Sequence, residues 1–115
     1  MKHKIKLGLI GAGAWGKNYI NAICKRDDIE LTSICTKNQI LKKNLPLISN
    51  FKLFTNWKEL LLEKNIDGVI IATPPSLHVE IMELCIFLGI PLIVEKPVSL
   101  YSKEVKNIYG LAKKN

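Results

Sequence analysis

The chain has 115 residues, 48% of them hydrophobic and 23% charged, with a formal net charge of +7. That is the composition of an ordinary globular domain, long enough to bury about two-thirds of its unfolded surface around one core. No apolar run approaches the ~18 residues of a membrane span, and the basic-then-apolar start MKHKIKLGLIGAG runs into a glycine turn without a cleavage site, so neither membrane insertion nor export is expected.

In chain order, apolar runs predict strands at Lys4 to Ile10, Glu30 to Cys35, Lys52 to Phe54, Gly68 to Ala72 and Pro91 to Val94. Helical spacing predicts helices near 14–26, 56–64, 76–88 and 102–113; Pro46 interrupts 38–49, which stays unassigned. Trp15, Tyr19, Ala22 and Ile23 recur at the helical spacing that marks the first helix. Asn56 with Glu59 forms a capping-box pattern, and Ser76 is the expected cap of a helix whose buried face is Leu77, Ile81, Cys85 and Leu88 and whose end is Gly89. Strands alternating with helices, without hairpin signals, predict an α/β fold: a doubly wound parallel sheet of Rossmann type in three α/β/α layers, with strand order 3-2-1-4-5. Ligands in such a sheet bind beyond the carboxyl ends of the strands, where the order reverses.

The lysines are scattered over every segment, Arg26 is the only arginine, and no aromatics interleave with basic residues, so the positive charge reads as a solvated surface and not as a nucleic-acid interface. Cys24, Cys35 and Cys85 are odd in number and form no CxxC pair. They read as buried, reduced thiols of a cytoplasmic protein, with no disulfide framework and no metal site.

The stretch GAGAWG lies between the first strand and the first helix. Gly11 allows a tight turn, Gly13 lets the backbone approach a pyrophosphate, and Gly16 lets the helix pack close to the sheet. The cofactor-binding set therefore starts with Gly11, Gly13, Ala14, Trp15 and Gly16, at a helix amino terminus whose N–H groups favour anions. About 20 residues on, an acid normally holds the adenosine ribose; here Thr36 and Lys37 stand instead. A carboxylate ~4 Å from a ribose phosphate costs on the order of 4 kcal/mol per charge pair at an effective dielectric of 20. Its absence admits NADP as well as NAD and tips the expectation slightly toward NADP, with the Thr36 hydroxyl and Lys37 ammonium on the phosphate. In the plainer alternative Lys37 points to solvent and another group holds an unphosphorylated ribose.

ATPPSLH (residues 72–78) and EKP (residues 95–97), in this order after the glycine turn, make the whole chain resemble the Gfo/Idh/MocA family of glucose-fructose oxidoreductases and inositol dehydrogenases. The resemblance implies that Thr73, Pro74 and Pro75 line the cofactor cleft, that His78 stands at the next helix start near the phosphates, and that Glu95 approaches the nicotinamide ribose. It implies that Lys96 is catalytic, polarising the substrate oxygen as its proton leaves, with the Lys96–Pro97 peptide expected to be cis. An exposed first-turn histidine at residue 78 and an exposed ion pair of Glu95 with Lys96 are the plainer readings. Family members continue into an α+β domain that carries the substrate pocket and a catalytic histidine. Residues 1–115 are accordingly expected to be a dinucleotide-binding domain without that partner domain, inactive alone, and exposing an apolar patch through which it self-associates. The leading function is hydride transfer between a nicotinamide cofactor and a hydroxyl of a sugar, cyclitol or sugar nucleotide, the substrate being held through the further domain. A non-catalytic sensor of the dinucleotide is the alternative; a methyltransferase is disfavoured by the second and third motifs.

Overall fold

In a computed structural model of the chain, residues 4–11, 13–37, 51–95 and 110–111 are described. Strands β1 (Ile5–Ile10), β2 (Ile29–Cys35), β3 (Lys52–Phe54), β4 (Gly68–Ile71) and β5 (Leu92–Val94) form one sheet of order β3-β2-β1-β4-β5. Every pairing is parallel. Helices α1 (Ala14–Cys24), α2 (Trp57–Leu61) and α3 (His78–Leu88) complete the described elements, with a short 3-10 turn at Pro75–Leu77. This is the doubly wound architecture that the alternation of elements predicts, with ends differing by at most three residues. The unassigned stretch 38–49, most of the helix expected near 102–113, Lys96 and the Lys96–Pro97 peptide lie outside the described residues.

The sheet is covered on both faces, which explains the nearly continuous apolar character of its central strands. Successive residues of β1 point to opposite sides: Leu9 joins Ile34 and Ile70 beneath Ile20 and Ile23 of α1, while Ile10 joins Cys35, Phe54 and Ile71 beneath Leu60 of α2 and Ile81, Met82 and Cys85 of α3. Burying each such aliphatic side chain contributes roughly 1.5–3 kcal/mol before the entropy of ordering it. Strand β2 carries one irregularity. Leu7 faces Leu31 but Gly8 faces Ser33, so Thr32 is an extra residue in the ladder. That bulge puts Leu31 and Ile34, three positions apart, on the same side of the sheet.

Local chemistry sets the helix ends. Asn56 caps α2, its Oδ1 accepting from the Lys58 amide at 2.9 Å. Gly89, at φ +73°, closes α3 in the left-handed conformation, with the Ile90 amide donating to the Cys85 carbonyl at 2.9 Å. Ser76 does not cap α3. Pro74 and Pro75 fix the backbone leading in, a 3-10 turn takes up Pro75–Leu77, and the residue before the helix, Leu77, offers no side-chain cap. The inner face shifts accordingly to His78, Ile81, Met82 and Cys85, leaving Leu77 and Leu88 each 39% exposed. In α1 Ile20 and Ile23 are buried, as is Gly16, while Ala22 is exposed and Tyr19 only half-buried.

Candidate functional site

The register of the sheet brings the candidate residues to one edge. Ile10 pairs with both Cys35 and Ile71, Cys35 with Phe54, and Ile71 with Val94, so the parallel strands end level. One more rung continues each ladder: the Gly11 amide donates to Cys35 (2.9 Å), Thr36 to Phe54 (2.9 Å), Ala72 to Ile10 (2.8 Å) and Glu95 to Ile71 (3.0 Å). Thr36, Gly11, Ala72 and Glu95 therefore stand side by side on four consecutive strands. At ~4.8 Å per strand the row spans about 14 Å, centred on the point where the strand order reverses.

Gly11 turns the chain out of β1 at φ +95°. A Cβ there would lie 2.7 Å from the Ala72 carbonyl oxygen and 2.9 Å from the Thr73 nitrogen, so the glycine turn and the ATPPSLH turn are packed backbone to backbone. Gly13 differs: it is exposed, precedes α1 with φ −74°, and a Cβ on it would meet nothing within 4 Å. The first helical bond runs from the Lys17 amide to the Gly13 carbonyl at 2.9 Å. The first turn of α1 has no acidic residue and no side-chain cap, so its positive end is not neutralised from within the helix. The first turn of α3 carries Glu80. Of these two helix starts, only that of α1 suits an anion. Gly16 is buried; Ala14 and Trp15 open α1.

On the second turn, Pro74 is exposed and Pro75 half-buried. Thr73 is half-buried, and its Oγ1 is enclosed with no hydrogen-bond partner among the described residues. His78 begins α3, but it is neither exposed nor directed outward. It is 1% exposed, and Nε2 lies 2.7 Å from the Thr73 carbonyl oxygen. A carbonyl only accepts, so Nε2 carries the proton and donates. The ring thus pins the ATPPSLH turn through the Thr73 carbonyl. Replacing it with leucine, which keeps apolar bulk but removes the donor, is expected to cost about 1–3 kcal/mol of stability in urea unfolding; an unchanged midpoint would deny the pin.

Thr36 is half-buried and Lys37 exposed at the end of β2. Glu95 is half-buried, its carboxylate accepting from the Tyr19 hydroxyl of α1. No sequence signal pointed to Tyr19 as a site residue, because the contact spans 76 positions. The bond to Glu95, burial and the carboxylate's negative charge, in that order, push the Tyr19 hydroxyl up to about 12. Cys35 and Cys85 are buried thiols that burial pushes up to about 11, with Glu59 adding to Cys35, so both are protonated and inert at neutral pH. Cys24 is only half-buried. Among the described residues no group of three or more His, Cys, Asp or Glu is placed to hold a metal, and no helix is long and apolar enough to cross a membrane.

A parallel sheet with a glycine turn and an open helix amino terminus at its switch point defines a dinucleotide-binding domain. The chain belongs to the Oxidoreductase family, NAD-binding Rossmann fold (GFO_IDH_MocA), whose model matches residues 5–115. It is 27% identical over 112 residues to the rhizopine catabolism protein MocA of Rhizobium meliloti, covering 96% of this chain and 35% of that protein. It is 25% identical over 119 residues to inositol 2-dehydrogenase of Corynebacterium glutamicum, covering 99% and 34%. Among solved structures, the WlbA dehydrogenase from Bordetella pertussis, in complex with NADH and UDP-GlcNAcA, superposes with a TM-score of 0.85 at 27% identity, covering 99% of this chain and 34% of that one. The chain thus spans about a third of the length of these relatives. None of them supports the reading as a non-catalytic sensor.

Proposed function

We propose that the chain binds a nicotinamide dinucleotide along the row Thr36, Gly11, Ala72 and Glu95, for an oxidoreductase acting on a hydroxyl of a sugar, cyclitol or sugar nucleotide. The observation that carries this reading is the level ending of four strands beside the un-neutralised amino terminus of α1. The residues fit such a cofactor on two counts: the space over Gly13 is open at the helix start, and the enclosed Thr73 Oγ1 has a hydrogen bond to give. When bound, the nicotinamide supplies the hydride-accepting or hydride-donating carbon.

The chain's own residues divide the remaining work. Gly13 and the first N–H groups of α1, with Ala14, Trp15 and Gly16, face the pyrophosphate. Thr36 and Lys37 take the adenosine ribose and its phosphate, His78 holds the Thr73-Pro74-Pro75 turn in place, and Glu95 accepts from the nicotinamide-side ribose. Lys96 polarises the substrate oxygen and handles its proton, its charge stabilising the oxygen most as negative charge develops. The substrate is held by the further domain of a longer enzyme. Cytoplasmic residence and self-association through apolar surface belong to the same reading, supported by the three free thiols and by Phe87 and Ile93, which are 82% and 56% exposed.

Calorimetric titration of the chain with NADP and NAD tests the assignment. NADP is expected to bind more tightly, and Lys37→Asp to reverse the order by placing a carboxylate beside the phosphate, a repulsion on the order of 4 kcal/mol at an effective dielectric of 20. NAD preferred by the wild type would remove Lys37 from the site. Binding of neither would overturn the dinucleotide reading as a whole.

A further inference from the structure

Tyr19 and Glu95 join parts of the fold that the sheet alone does not connect. Tyr19 lies on α1, the helix that starts at the glycine turn, and Glu95 directly follows β5, on the far side of β4 from β1. The Glu95 backbone is already fixed, its amide donating to the Ile71 carbonyl at 3.0 Å. The Tyr19 hydroxyl then fixes the side chain by donating to Oε1. A glutamate at a strand end otherwise samples several rotamers; here one oxygen is held, and among the described residues Oε2 makes no hydrogen bond. An ionised carboxylate offers about four lone-pair sites and only accepts, so the oxygen left over suits a hydroxyl donor.

We propose that Tyr19 is a positioning residue: it clamps Glu95 through Oε1 so that Oε2 is presented to the hydroxyls of the second, nicotinamide-side ribose. This rests on the dinucleotide reading given above. The clamp removes from binding the cost of immobilising a flexible side chain. It also ties the phosphate-facing helix to the segment that carries Lys96, so the two halves of the cofactor are held by one connected unit.

The test compares wild type, Tyr19→Phe, Glu95→Gln and the double variant of this chain, titrated with whichever of NADH and NADPH the wild type binds more tightly and with ADP, which lacks the second ribose. Tyr19→Phe is expected to weaken the dinucleotide about five- to tenfold, the worth of one ordinary net hydrogen bond, and ADP less than about twofold. The double variant is expected to be no weaker than the worse single variant, because the two residues act as a unit. Equal weakening of both ligands, no weakening of either, or additive losses would each overturn the clamp while leaving the cofactor assignment standing. A wild type that binds neither ligand would overturn both. A ligand-free readout guards against a folding defect: tyrosinate absorbance should show one tyrosine ionising near pH 12 in the wild type, moving toward the ordinary value of about 10 in Glu95→Gln. Identical titrations would overturn the contact itself.

Discussion

Gly11→Ala should lower the stability of the chain by about 3 kcal/mol, and its thermal midpoint by roughly 10 °C. Two costs add. At φ +95° an L side chain is strained, a penalty of roughly 1–2 kcal/mol. The added Cβ would also lie 2.7 Å from the Ala72 oxygen, 2.8 Å from its carbonyl carbon and 2.9 Å from the Thr73 nitrogen. All three are backbone atoms, so no side chain can swing away. The turn cannot retreat without stretching the bonds from Gly11 to Cys35 and from Ala72 to Ile10, which hold β1 against both of its neighbours. Calorimetry or circular dichroism against temperature checks this, and an unchanged midpoint would mean that the two turns do not meet as described.

The strand order was readable from the alternation of elements, because parallel strands joined by helices leave few allowed windings. So was the edge at which the glycine and ATPPSLH turns emerge, since level parallel strands put every strand-to-helix turn on one side. The bulge at Thr32 was not readable: Thr32 and Ser33 are both small and polar, and only the pairing of Gly8 with Ser33 shows where the side chains change face. The start of α3 misled for a related reason. Ser76 is a good cap in isolation, but two prolines before it make a 3-10 turn, and the buried stripe begins one residue later, at His78.

His78 shows why residue type alone underdetermines a role. The resemblance places it at a helix start near the phosphates, and the structure adds that it is buried and bonded to the Thr73 carbonyl, a support for the turn that its residue type does not announce. Tyr19 is the converse case. Helical spacing assigned it only to the first helix, and its partner Glu95 became visible only when β5 was placed beside β4. Its raised pKa gives it a pH signature. The folded state holds the phenol proton more tightly than the unfolded chain, so its contribution is fully present below pH ~10 and is lost as the pH rises through about 12. Alkaline unfolding of Tyr19→Phe should lack that component.

Gly13→Val should separate binding from folding at a position only two residues from Gly11. Gly13 already has φ −74°, which any residue adopts, and a Cβ there meets nothing within 4 Å, so the fold has no internal reason for a glycine. Exchanging glycine for a poor helix cap should cost about 1 kcal/mol at most. In the function proposed above, a dinucleotide supplies the missing reason from outside. Its pyrophosphate must come within hydrogen-bonding distance of the first N–H groups of α1, through the space that the branched side chain would fill. Losing one or two charge-assisted bonds of ~1.5–3 kcal/mol each should weaken cofactor binding roughly 100-fold. Titration calorimetry and a thermal melt of the same sample read the two quantities side by side. Affinity should collapse while the midpoint stays within a few degrees, the reverse of the Gly11→Ala pattern. Unchanged affinity would move the pyrophosphate away from this turn, and a collapsed midpoint would mean that the fold itself requires glycine at Gly13.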